Sequence, residues 1–177
     1  GINYSEHGTP TKAAENNYKG TVFVTADQSD CSVGWKIYYG CVSTTDKISG
    51  ENSAALRLYT EDKYGYIQTT TAIEGLSEVS FKTKAAATKS ASILVDVYYS
   101  TNGTNWVAIQ EGAKYTTSAT EYSYMIPEGG QYIKIAISKK STKPTEKNAQ
   151  LTIDDVVFTS TADAKTYTYT WSVNGEK

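Results

Sequence analysis

The stretch Leu76–Gln110, LSEVSFKTKAAATKSASILVDVYYSTNGTNWVAIQ, constrains the fold of this chain most strongly. In its second half Ile93, Val95, Val97 and Tyr99 share one face of an extended segment, and Leu94, Asp96 and Tyr98 share the other. A period of two is the mark of a strand with one face buried. Ser100–Thr104 then turns around Asn102-Gly103, a pair that reaches positive φ at little steric cost. Trp106, Ala108 and Ile109 follow on the returning strand, while Val79 and Phe81 mark an earlier strand over Leu76–Thr83. Three β segments in succession, with no helix between them, predict an antiparallel β-sandwich.

The rest of the chain repeats the pattern. GTVFVTA (20–26), WKIYY (35–39), AALRLY (54–59) and YGYI (64–67) read as strands before the hairpin. EYSYMI (121–126), QYIKIAIS (131–138) and QLTIDDVVFTS (150–160) read as strands after it, ten or so in all. In the second of these, Ile133, Ile135 and Ile137 point inward and Tyr132, Lys134 and Ala136 outward. Residues 43–52 and the lysine-rich 139–148 read as polar loops. The one local hint of helix is Ala85–Ala87, diluted by Thr88 and Ser90. The predicted module spans 1–161, with 1–19 as an irregular leading segment containing Gly8 and Pro10. Residues 162–177 read as a linker and the first strand of a following β module, or else as a terminal edge strand folded back. Thr166–Val173 alternates there before Asn174-Gly175 opens a hairpin turn.

Composition excludes several classes. At 177 residues the chain holds one β domain with a sizeable core. Its net charge of −2, with Arg57 the single arginine, leaves no footprint for nucleic acid. No apolar run approaches the roughly 18 residues of a membrane helix, so direct membrane insertion is not expected. The chain begins at Gly1 without Met, which reads as removal of a targeting segment. Cys31 and Cys41 either pair across a hairpin in an oxidising compartment or remain small buried thiols.

The order WKIYYG, SGENSAALRLYTEDKYGYIQTT, EGLSEVSFKTKA, VDVYYSTNGTNW, YIKIAIS and LTIDDVVF resembles a jelly-roll module with a galactose-binding-like sandwich. Modules of that kind recur in secreted and surface proteins of bacteria, notably gut Bacteroidetes, as non-catalytic companions of glycan-degrading enzymes, adhesins and nucleases. The resemblance covers roughly Gly20 to Ser160. It implies an all-β, two-sheet antiparallel jelly-roll, an extracellular or cell-surface location, and other modules of the same polypeptide as neighbours. It also implies a buried Trp106. In many such modules an acidic residue on the final strand helps hold a structural Ca2+, so the resemblance marks Asp154 and Asp155 as metal candidates. The Ser49–Ser53 and Asp27–Asp30 loops are available to complete the six to eight oxygens calcium takes. The alternative is that one Asp caps loop amides while the other faces solvent.

Catalytic chemistry finds no foothold. His7 is the only histidine, lies in the irregular leading segment, and has no G-x-S-x-G elbow to serve. Zinc needs several Cys or His ligands, and this chain has two and one. No enzyme activity and no catalytic residue are expected. Sugar C–H faces stack on aromatic rings while carboxylates and amides take the hydroxyls. Tyr64 and Tyr66, flanking Gly65 beside Glu61 and Asp62, are therefore the candidate ligand-binding set, with a glycan or cell-surface polysaccharide as the partner. The bland reading of the chain's many aromatics is cross-strand packing. The expected function is a non-catalytic carbohydrate-binding module of a secreted or surface protein; the alternative is a structural or adhesin-like spacer.

Overall fold

The computed structural model describes residues 21–24, 33–43, 46–50, 53–59, 63–86, 93–142 and 149–161. The leading segment 1–19, the tail 162–177, Cys31, Glu61 and Asp62 lie outside these residues, and so do the expectations placed on them. Among the described residues there is no helix, and hence none long and apolar enough to cross a membrane.

Among the described residues twelve strands run in order. They are β1 (Thr21–Val24), β2 (Trp35–Tyr38), β3 (Gly40–Ser43), β4 (Ser53–Tyr59), β5 (Lys63–Tyr64) and β6 (Tyr66–Thr69), then β7 (Leu76–Ala86), β8 (Leu94–Ser100), β9 (Val107–Lys114), β10 (Thr120–Met125), β11 (Tyr132–Ile137) and β12 (Ala149–Ser160). One sheet has the order β1-β2-β6-β11-β8-β9, the other β10-β7-β12-β4-β3, with β5 paired to β4. Every pairing is antiparallel. From β5 onward the chain passes repeatedly from one sheet to the other, and the result is a jelly-roll β-sandwich.

The sequence explains the two layers. In β11 Ile133, Ile135 and Ile137 are fully buried, while Tyr132, Lys134 and Ala136 between them are only half-buried. Trp35, Ile37, Ile67, Val95 and Val97 complete the inner face of that sheet, against Leu56, Val79, Phe81, Leu151 and Ile153 of the other. The strand expected over Leu76–Thr83 continues to Ala86, so Ala85 and Ala86 are extended rather than helical. Residues 40–43, expected partly in a loop, form β3, all four of them buried.

Two crossings between sheets meet at one point of the backbone. The chain leaves β2 for β3 through Tyr39, whose φ is 46°, and leaves β5 for β6 through Gly65. The Arg57 amide of β4 donates to the Tyr39 carbonyl at 2.9 Å, and the Arg57 carbonyl accepts from the Gly65 amide at 2.9 Å. The Gly65 carbonyl in turn accepts from Ile137 at the end of β11, at 2.8 Å. A Cβ on Gly65 would stand 2.6 Å from the Tyr39 carbonyl oxygen and 2.9 Å from Arg57 backbone atoms. Those atoms are already committed to hydrogen bonds and have no free direction in which to yield.

Gly65→Ala is therefore expected to destabilise the fold by about 2 kcal/mol or more, as overpacking against backbone does. Urea unfolding at equilibrium measures it. An unchanged midpoint would show that the crossing is looser than these distances imply.

Candidate functional site

The face of the first sheet turned away from the core carries a cleft of about 570 Å3. Strand register builds it. Tyr38 of β2 stands opposite Tyr66 of β6, which stands opposite Ala136 of β11 and then Asp96 of β8. In the next row Lys36, Gln68, Lys134 and Tyr98 follow one another across the same four strands. Residues opposite each other on antiparallel strands bring their side chains within contact range. Ala136 is the small member of its row, and its missing bulk opens the floor between Tyr66 and Asp96. Tyr64, Lys63, Trp106, Glu111 and Lys140 also line it.

Aromatic rings make the walls. Tyr38 and Tyr66 stack with centroids 4.9 Å apart, and Tyr39 meets Tyr38 edge-on at 4.6 Å. Trp106, carried by the end of the β8–β9 turn, is half-buried with its ring against Lys134. Side-chain hydrogen bonds shape that turn. Asn102 Oδ1 accepts the amides of Thr104 and Asn105 at 3.0 and 2.9 Å, and Gly103 takes a φ of 76°. The burial expected of Trp106 is thus corrected. It stands just before β9, on the outer face, and among the described residues the tryptophan buried in the core is Trp35, stacked on Phe158.

Lys134 stands at the centre. Its ammonium lies 4.1 Å from the Trp106 ring centroid, 5.1 Å from Tyr66 and 6.0 Å from Tyr98. Contacts of this kind favour a cation, but only modestly beside the loss of water. Burial first, and then the positive charge of Lys36, push the Lys134 pKa down to about 8. Asp96 does not answer this charge directly. Its Oδ1 accepts the Gly112 amide at 2.7 Å and its Oδ2 the Tyr98 hydroxyl at 2.9 Å. Burial, and then that hydrogen bond, push the Tyr98 phenol up to about 12. Glu111 is paired with Lys140 at 2.9 Å.

Of the residues singled out in sequence, Tyr64 and Tyr66 both line the cleft. Tyr38, Asp96, Tyr98, Trp106 and Lys134 were not in that set. A signal for three of them existed: Asp96, Tyr98 and Lys134 alternate outward on strands whose inward residues were evident. Tyr124 packs on Phe81 at 5.9 Å, in keeping with the packing reading of the other aromatics.

Asp154 and Asp155 form a separate cluster on β12. A bulge between Asp154 and Val157, with Asp155 at φ 47°, breaks the alternation and lets both carboxylates reach the segment around Ser49. Asp154 Oδ2 accepts the amides of Ile48 and Ser49 at 3.2 and 2.8 Å and the Ser53 hydroxyl at 2.7 Å. Asp155 Oδ2 accepts the Ser49 hydroxyl at 2.7 Å and Lys82 Nζ at 2.8 Å. The Lys82 hydrogen bond, and then that of Ser49, hold the Asp155 carboxyl below the usual carboxylate range. Calcium asks for converging oxygens, whereas N–H groups and an ammonium occupy this site. As arranged, the described groups do not fit the ion, and no cluster of three or more His, Cys, Asp or Glu exists among the described residues.

No protein-family model matches the chain, and no curated protein matches it either. Solved structures do. The K2 cleaved adhesin domain of Lys-gingipain superposes with a TM-score of 0.57 at 15% identity, over 89% of this chain and 96% of that one. The K1 cleaved adhesin domain of Lys-gingipain from Porphyromonas gingivalis W83 gives 0.54 at 16% identity, over 88% and 94%. The K3 domain from the same organism gives 0.50 at 17% identity, over 83% and 96%. The likeness is one of fold. It extends across nearly the whole of each adhesin domain.

Treatment with a chelator is expected to leave the melting temperature unchanged, since the Asp154–Asp155 cluster is held by protein donors. A fall in melting temperature that added Ca2+ reverses would place an ion there.

Proposed function

We propose that this chain is a non-catalytic carbohydrate-binding module of a secreted or cell-surface protein, and that the outer-face cleft is its binding site. The observation that carries the reading is the cleft's composition: rings of Tyr64, Tyr66 and Trp106 around a floor opened by Ala136, with the Lys134 ammonium against the rings of Tyr66 and Trp106. Apolar walls with a few placed polar groups are what a sugar ring needs, because its C–H faces stack while its hydroxyls require partners. A pure spacer has no use for a half-buried lysine among three rings, since the arrangement costs solvation.

Two further points support it. Both carboxylates in the cleft are committed, Asp96 to Tyr98 and Gly112, Glu111 to Lys140, so neither is presented as an acid, base or nucleophile. The adhesin domains sharing the fold are named for attachment, which agrees with a binding module outside the cell, joined to other modules of its polypeptide.

Titration with soluble polysaccharides tests the reading. At least one is expected to bind, without turnover. Tyr66→Ala and Trp106→Ala, whose rings flank Lys134, should each weaken binding about tenfold or more, with Tyr64→Ala weaker in effect. Hydrolysis of any substrate would refute the non-catalytic assignment. Absence of binding across a broad panel would leave the spacer reading, and binding that survives all three substitutions would move the site elsewhere.

A further inference from the structure

Four lysines line the cleft, Lys63, Lys134, Lys139 and Lys140, against the two carboxylates of Asp96 and Glu111. The whole chain has a net charge of −2, so this excess of cations is local. The two carboxylates are spent. Asp96 receives an amide and a phenol, and Glu111 receives the Lys140 ammonium. Lys140 is thereby accounted for, whereas Lys134 is not: among the described residues its ammonium has ring faces as neighbours and no hydrogen-bond acceptor. An ammonium offers three donors, and a half-buried one has given up part of the water that would receive them. Lys36 on β2 adds a second positive charge beside it.

Resting on the carbohydrate-binding reading, we infer that the ligand is an anionic polysaccharide whose carboxylate or sulfate group is received by Lys134, between the rings of Tyr66 and Trp106. An acid group on a sugar supplies the acceptor that the protein withholds, through charge-assisted hydrogen bonds that are stronger in a desolvated cleft than in water. The rings beside Lys134 then hold the sugar that bears the acid group. A neutral sugar would offer hydroxyls to a site whose own acceptors are already taken, and would leave the ammonium as poorly served as before. The surrounding lysines favour the approach of a polyanion and make the interaction sensitive to salt.

The experiment uses the 177-residue chain and polymers built on one sugar skeleton: polygalacturonate for carboxylate, a sulfated galactan for sulfate, and neutral galactan as reference. A DNA oligonucleotide serves as a non-carbohydrate polyanion. At least one acidic polymer is expected to bind about tenfold more tightly than neutral galactan at low salt, as one charge-assisted contact warrants. The polymer that does so identifies the acid group. That advantage should shrink as salt rises and disappear in Lys134→Gln, while Lys134→Arg, which keeps the charge, retains it. Lys84→Gln, an exposed lysine of β7 in the other sheet, should leave it intact. Melting curves of each variant establish that it is folded, and the arginine variant carries the test if the glutamine variant is not.

Equal affinity for neutral and acidic polymers would overturn this inference and leave the carbohydrate-binding reading standing. No affinity for any polysaccharide would remove both. An acidic preference that survives Lys134→Gln, or oligonucleotide binding as tight as that of the acidic polymers, would also overturn it.

Discussion

The backbone of Arg57 holds the sandwich together at the one place where its connectivity is most demanding. Its amide and carbonyl fasten two separate crossings, at Tyr39 and at Gly65, and Gly65 passes the connection on to Ile137. A jelly-roll must turn its strands from one sheet into the other, and each crossing removes backbone groups from the regular ladders. Here those groups pair with one another. Without that pairing the edges of both sheets would carry buried, unsatisfied amides and carbonyls, at about 1–3 kcal/mol each.

The same corner sets the cleft. Tyr38 precedes one crossing, and Tyr64 and Tyr66 flank the other, so three rings are fixed by a single piece of backbone geometry. The opposite wall depends on a different device, the hydrogen-bonded turn at Asn102 that delivers Trp106 over Lys134. The floor follows from register alone, because Ala136 falls between Tyr66 and Asp96. A sheet carrying the polar groups, with a turn and a corner supplying the walls, makes a pre-formed cleft, and a ligand of such a cleft would require little ordering of the protein.

Much of this was legible in the sequence, because alternation reports which way a side chain faces. The inward isoleucines of β11 were read correctly from period two alone, and the same pattern put Asp96 and Tyr98 of β8 on the face opposite Val95 and Val97. Alternation does not report which strand lies beside which. That Lys134 stands next to Tyr98, or Tyr38 next to Tyr66, follows from pairings between distant segments, and so most of the cleft was missed while Tyr64 and Tyr66 were found. Residues 40–43 carry no alternation because all four are buried, and their strand was taken partly for loop. On β12 the bulge after Asp154 overrides the pattern, bringing both acids to Ser49 where strict alternation would have separated them.

The central claim is that the outer face of the first sheet, and not the core or the second sheet, receives a polysaccharide. Nuclear magnetic resonance of the labelled chain during titration with a bound polysaccharide tests it most directly. The account predicts large shifts at the Trp106 indole and the Lys134 side chain, with the Trp35 indole, enclosed in the core, essentially unmoved. Shifts concentrated on the strands of the second sheet, with Trp106 and Lys134 silent, would contradict it.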